Sequence, residues 1–164
     1  MIEFLESGSE NKKNSQTDEI YLCQFEKFSC MGCCGHNFSS KEEVEDDLKA
    51  NTELLDKEGV LVLAEQESIL PCSGTCNKLV LKNGKSFCGA HPMQNNGKDY
   101  REYDTLCNKT YFCKTMYWFR SLDQNEKEKF MQFLREKDLG WWEYSMGLDS
   151  GKLKEEFLGL SLIT

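Results

Sequence analysis

Nine cysteines and only two histidines stand in a chain of 164 residues. The cysteines are grouped rather than scattered. Cys23 precedes a first group, Cys30-x-x-Cys33-Cys34-x-His36. The second group opens with Cys72-x-x-x-Cys76, passes through a short insert and closes with Cys88-Gly-Ala-His91. Cys107 and Cys113 follow. Cysteines used only as small buried hydrophobes would fall at helical or strand spacings instead. A two-residue gap between thiols lets a tight backbone knuckle aim both sulfurs at one ion, and Gly32, Gly35, Gly74 and Gly89 give such knuckles room. Thiolates take zinc or iron, singly or as an iron–sulfur cluster, and not magnesium or calcium. The candidate ligands are therefore Cys30, Cys33, Cys34, Cys72, Cys76, Cys88, His91, Cys107 and Cys113. His91 is included because it closes a Cys-x-x-His knuckle ahead of Pro92. The roles of Cys23 and His36 stay open.

Together the cysteines and histidines exceed what one tetrahedral ion can take. They suit either two sites, or one site with several structural cysteines. Adjacent side chains diverge, so Cys33 and Cys34 either serve different ions or one of them points into the core. Spacing makes Cys30, Cys33, Cys76 and Cys88 the set expected to meet at one shared ion, with two separate sites as the fallback.

The elements that must position these residues are readable in part. Residues 7–19 are wholly polar and cannot bury enough area to offset ordering, so residues 1–19 are expected to be a flexible arm. Residues 20–164 are expected to form a single domain, with a cysteine-cluster part over 20–113 and a helical part over 111–163. Ser40 and Glu43 make a capping-box signature ahead of Val44, Leu48 and Leu55 on one helical face, with Gly59 as the stop. Glu42, Glu45, Asp46 and Asp47 read as its solvated face. Val60–Ala64 is expected to be a short strand. Asn83-Gly84 between Leu79-Val80-Leu81 and Ser86-Phe87-Cys88 signals a hairpin, because a type I′ turn needs positive φ at both central residues. Residues 94–104 read as a loop. Helices are expected from about Tyr111 to Leu122 and again after an Asp123/Glu126 capping box, with Phe119 and Phe130 facing inward. The predicted fold class is α+β: a small, loop-rich, metal-stapled domain with a short antiparallel hairpin, several α-helices and a helical C-terminal part.

Composition excludes several classes. A formal net charge of −8 offers phosphates no basic surface, so no nucleic acid is expected as a partner. No apolar run approaches the roughly 20 residues that span a bilayer, and no membrane association is expected. The acidic start, Met1 to Glu6, lacks the basic and apolar regions of a secretory signal. The expected location is therefore cytoplasmic, where thiols stay reduced and a disulfide framework does not form. The expected partner is a metal ion. Trp141, Trp142 and the apolar segment Phe157 to Ile163 are a candidate face for a protein partner or homodimer, or else simply a docked terminal helix.

Phe28-Ser29-Cys30-Met31-Gly32-Cys33-Cys34 resembles the opening of the YkgJ-type cysteine-cluster family, whose members are grouped as zinc- or iron-chelating proteins. Cys76-Asn77-Lys78-Leu79, then Cys88, then His91-Pro92 follow the order of that family's second half, and a later family cysteine corresponds to Cys107 or Cys113. The resemblance covers about residues 25–113. It departs from the family where Cys33 and Cys34 are directly joined, and where His91 stands in place of a frequent Arg. It implies a zinc- or iron-binding cysteine set. Some relatives of the family resemble a lysine methylase, which gives methyl transfer as one alternative and iron–sulfur redox chemistry as another. A methyl-transfer cofactor would need a Gly-rich strand-to-helix loop, and the sequence offers none. A cysteine hydrolase needs a Cys–His pair with an orienting group, and both histidines sit beside cysteine knuckles that metal binding explains better.

Overall fold

The computed structural model describes residues 22–66, 71–104 and 106–161. The arm expected over 1–19 lies outside these residues. The described chain is α+β, with two antiparallel hairpins and six α-helices.

Strands β1 (Gln24–Phe25) and β2 (Phe28–Ser29) pair with Gln24 opposite Ser29 and Phe25 opposite Phe28. Their turn puts Glu26 at φ 50°. A two-residue pair has almost no ladder of its own. It holds because Phe25 and Phe28 are buried, and because Phe28 stacks on Tyr144 at 4.7 Å. This hairpin was not anticipated from the sequence.

Helix α1 (Lys41–Glu58) begins as expected, with Ser40 Oγ accepting the Glu43 N–H at 3.2 Å, and ends at Gly59 with φ 89°. Val44 and Leu48 are fully buried, while Glu42 and Asp46 face solvent. The strand expected over Val60–Ala64 is instead helix α2 (Val60–Glu65). Leu63 and Ala64 are buried while Leu61 and Val62 are exposed. That is a helical face, not an alternating one, and each sheet has only two strands, already paired to each other.

Strands β3 (Leu79–Lys82) and β4 (Lys85–Cys88) form the anticipated hairpin, with Leu79 opposite Cys88 and Lys82 opposite Lys85. Asn83 and Gly84 take φ 52° and 72°. Helix α1 lies across β3. Asn51 Nδ2 donates to the Leu79 carbonyl at 2.9 Å, and the Leu81 N–H donates to Thr52 Oγ1 at 2.9 Å. Helix side chains thus satisfy a strand edge that would otherwise stay open. The 94–104 stretch, read as a loop, contains the end of one short 3-10 turn, Pro92–Gln94, and the whole of another, Tyr100–Tyr103.

The C-terminal part is α3 (Lys114–Ser121), α4 (Gln124–Glu136), α5 (Trp141–Asp149) and α6 (Lys152–Ser161). Asp123 and Glu126 close a reciprocal capping box at 2.8 and 3.2 Å. Two apolar cores result. The larger joins Leu22, Phe25 and Phe28 to Met116, Phe119, Phe130, Leu134, Tyr144, Leu148 and Leu153. The smaller is Met31, Val44, Leu48 and Leu79, with Trp141, Trp142 and Met146 packed against it. Helix α5 serves both, through Tyr144 and Leu148 on one side and its two tryptophans on the other. Residues 22–28 and Cys113 therefore belong to the helical core, so the two parts read from the sequence interleave. Phe157 packs on that core, while Leu158 and Leu160 of the same helix are exposed. Among the described residues, no helix is long and apolar enough to cross a membrane.

Candidate metal centre

The loop after β2 is fixed by α5. Cys30 N–H donates to the Cys23 carbonyl at 2.9 Å, extending the β1–β2 ladder so that these two cysteines lie side by side. The next amide, Met31 N–H, donates to Ser145 Oγ at 3.1 Å. A side chain at Gly32 would run into the Asp149 side chain, so only glycine lets the loop lie this close to α5. The Gly32 N–H then turns back to Cys30 Sγ at 3.4 Å, the knuckle expected of a ligand cysteine. Cys33 and Cys34 follow with their sulfurs 4.0 Å apart.

Cysteines lie on both sides of this dipeptide, one set near the β1–β2 loop and a second near the β3–β4 hairpin, and Cys33 and Cys34 join them. Burial raises Cys23 to about 12, with the charges of Cys33 and Cys113 adding to it. Burial also pushes Cys30 well above the usual thiol range, and Cys23, Cys33 and Cys113 contribute in the same direction. Cys113, raised by burial, feels Cys33 too. Cys23, Cys30, Cys33 and Cys113 are thus mutual electrostatic neighbours. Asp149 stands beside them, its carboxyl raised by burial and lowered by His36.

The second set is built on the β3–β4 hairpin. The Cys34 carbonyl accepts a hydrogen bond from the Cys76 N–H at 2.9 Å, next to a bridge between Gly35 and Thr75. Gly74, at φ 78°, abuts the His36 carbonyl there, and His36 N–H bonds the Gly74 carbonyl at 3.0 Å. Cys76 precedes β3 and Cys88 ends β4, and a Gly89 N–H to Lys78 carbonyl bond of 2.8 Å closes the hairpin base between them. Cys34 is raised first by its hydrogen bond to Cys33, then by burial, with Cys88 and Cys76 contributing. Burial raises Cys88 to about 12, assisted by Cys76 and Cys107, and raises Cys76 with Cys107 contributing. Burial raises Cys107 as well, against the pull of Arg101. Cys33, in turn, is lowered by the hydrogen bond from Cys34.

Backbone amides face several of these sulfurs. Besides Gly32 at Cys30, the amide of Lys78 favours the thiolate of Cys76 and that of Ala90 favours the thiolate of Cys88. The amides of Met116 and Thr115 do so for Cys113, at the first turn of α3, without closing a cap hydrogen bond. Donors aimed at sulfur stabilise the charged, ligating form. Two such cysteines fall in each set.

The second set also has buried cations at its edge. Lys78 is 2% exposed. Its Nζ donates to the Gln66 carbonyl at 2.7 Å and Asn77 Oδ1 at 2.9 Å, and pairs with Asp104 at 3.6 Å. Arg101 holds Asp99 in a two-pronged pair at 2.8 Å and lowers both Cys88 and Cys107. Asp104 compensates Lys78 and Asp99 compensates Arg101, with Arg101 also within electrostatic reach of Cys88 and Cys107.

Cys34 links the two groups: its sulfur lies 4.0 Å from Cys33 Sγ, and its carbonyl accepts the Cys76 N–H at 2.9 Å. Cys72 is exposed. His91 caps the 92–94 turn, its Nδ1 accepting the Met93 N–H at 3.2 Å, and is lowered by burial and by Arg101. His36 is exposed. Sequence reasoning left Cys23 open. The signal was there in the arms of a short hairpin, but two-residue strands carry too little pattern to be recognised. As the side chains stand, no group of three or more His, Cys, Asp or Glu among the described residues is close-set enough to hold a metal ion.

Compared with known proteins, the chain matches no family model, no curated protein and no solved structure.

Proposed function

We propose that this is a metal-binding protein in which zinc or iron is held by cysteine thiolates and staples the fold. The observation that carries the reading is that remote cysteine segments meet: the Cys30 N–H bonds the Cys23 carbonyl, the Cys33 and Cys34 sulfurs lie 4.0 Å apart, and the Cys76 N–H bonds the Cys34 carbonyl beside the hairpin that ends at Cys88. Distant segments have little other reason to meet there. The loop 98–107 is polar, and the smaller core beside it has only four fully buried apolar residues. A structural thiolate site contributes on the order of 10 kcal/mol of folding energy, enough to offset the ordering of such loops. The resemblance to the YkgJ-type family supports the same ligand chemistry.

The test is elemental analysis with an absorbance spectrum on protein purified without oxygen. Zinc in colourless protein supports a structural site. Iron with visible sulfur-to-iron absorption supports an iron centre and gives the redox alternative its footing. Protein that carries neither metal, and takes up neither under reducing conditions, overturns the reading.

A further inference from the structure

We propose that Cys33 and Cys34 form a redox pair that exchanges with a low-molecular-weight disulfide, closing into a vicinal Cys33–Cys34 disulfide and reopening when small thiols are in excess. This goes beyond the metal-binding reading and does not rest on it, because it needs only the two thiols and the fold that holds them.

Adjacent side chains on an extended chain point apart, yet these two sulfurs lie 4.0 Å from each other in a thiol–thiol contact. A tethered turn holds them so. The Cys34 N–H donates to the Met31 carbonyl at 2.8 Å, which places Gly32 and Cys33 at the corner. The near end is pinned where the Met31 N–H meets Ser145 Oγ at 3.1 Å and the Met31 side chain is fully buried. The far end is pinned where the Cys34 carbonyl accepts the Cys76 N–H at 2.9 Å and the His36 N–H bonds the Gly74 carbonyl at 3.0 Å. A side chain at Gly35 would run into the Gly74 carbonyl and the Phe38 ring, so the turn closes only with glycine there. Both cysteines are half-buried, beside the exposed His36 and Asn37, which suits a small reagent better than another protein. In the forward reaction one thiol of the pair loses its proton to solvent and its sulfur attacks the small disulfide. That S–S bond breaks, and one small thiolate leaves and takes up a proton. The neighbouring cysteine, deprotonated in turn, attacks the mixed disulfide, forms the Cys33–Cys34 bond and releases the second small thiol. Two electrons pass from the pair to the small disulfide, and two small thiols run the sequence backwards. The second step is favoured because the resolving sulfur is already in contact. The closed ring stays labile. Consecutive Cα atoms lie about 3.8 Å apart, closer than the roughly 4.4–6.8 Å of ordinary disulfides, and a bond so placed is strained and easily reduced.

The test treats the full chain, purified without oxygen, with oxidised glutathione, both as purified and after a strong chelator. Free thiols are then alkylated and the products mapped by mass spectrometry. The expected product has lost two hydrogen atoms within the Cys33–Cys34 dipeptide, and excess dithiothreitol restores them. Cys30→Ser is expected still to close the bond. Adding Cys33→Ser or Cys34→Ser to that variant is expected to trap glutathione as a mixed disulfide on the remaining cysteine of the pair. The wild type in concentrated urea is expected to form several-fold less of the bond, because the turn that holds the sulfurs together is gone. In the wild type, no Cys33–Cys34 bond in either preparation, a bond from one of them to another cysteine instead, or an equal yield in urea overturns the proposal. Metal content is measured separately, so the metal-binding reading is decided independently of these outcomes.

Discussion

The thiols set opposite pH responses for the metal-free and metal-bound chain. Cys23 and Cys88 are raised from the usual value near 9 to about 12, chiefly by burial. Between those values the unfolded chain loses protons that the folded chain keeps. Stability of the metal-free protein is therefore full below pH 9 and falls as pH rises toward 12, by about 1.4 kcal/mol per pH unit for each such thiol. In a metal-bound chain the thiols are already deprotonated, and protons compete with the ion, so stability falls on the acid side instead. Urea unfolding across pH, with and without bound metal, is expected to show these opposite slopes. Parallel curves would separate the thiols from any metal. At the same scale, Gly32→Ala is expected to cost about 1–3 kcal/mol, because the added methyl meets the Asp149 side chain and pushes the knuckle off α5. Gly159→Ala, whose site on α6 is open, is expected to be neutral or stabilising by up to about 1 kcal/mol. Denaturant midpoints of the two variants, measured together, check both.

Elements here are stable through what they lean on. The β3–β4 hairpin has a favourable turn at Asn83-Gly84, but its outer edge is satisfied by Asn51 and Thr52 of α1. The β1–β2 pair depends on Phe25 and Phe28 in the larger core. Helix α4, in contrast, carries its own start signal in the Asp123–Glu126 box. Asp123→Ala is expected to destabilise by about 1 kcal/mol without altering metal uptake, since α4 carries no cysteine. A large loss of metal in that variant would tie α4 to the thiol sets in a way its packing does not.

For the whole molecule, the interleaving of the two cores redraws which regions depend on metal. A metal-stapled cysteine part over 20–113 beside a helical part over 111–163 would have chelation loosen the first and spare the second. The structure places 22–28 in the larger core, with Tyr144 OH donating to the Leu22 carbonyl at 2.8 Å. The β1–β2 hairpin should therefore follow the helices. After chelation under reducing conditions, hydrogen exchange is expected to quicken in 31–36, 72–78 and 88–107, while 24–29 and α3 to α5 keep their protection. Equal loss in β1–β2 and in the 88–107 loops would contradict this division.

The grouped cysteines, the start of α1, the Asn83-Gly84 turn and the box at Asp123 were legible in the sequence, because each is written within a few residues of itself. A cap, a type I′ turn and a knuckle are local geometries, and local residue types are enough to specify them. What stayed hidden depended on contacts between remote segments. Val60–Ala64 is helical because its partner is a core face and not another strand. That the Cys34 carbonyl meets Cys76, and that α5 presses on Gly32, depends on remote segments meeting. Cys23 lies beside Cys30 because a short hairpin pairs them, and α3 brings Cys113 into the core that Cys30 packs against. Spacing along the chain limits which sulfurs can lie close together. Which sulfurs do lie together is decided by the side of the backbone each leaves from, and by the packing that holds that side in place.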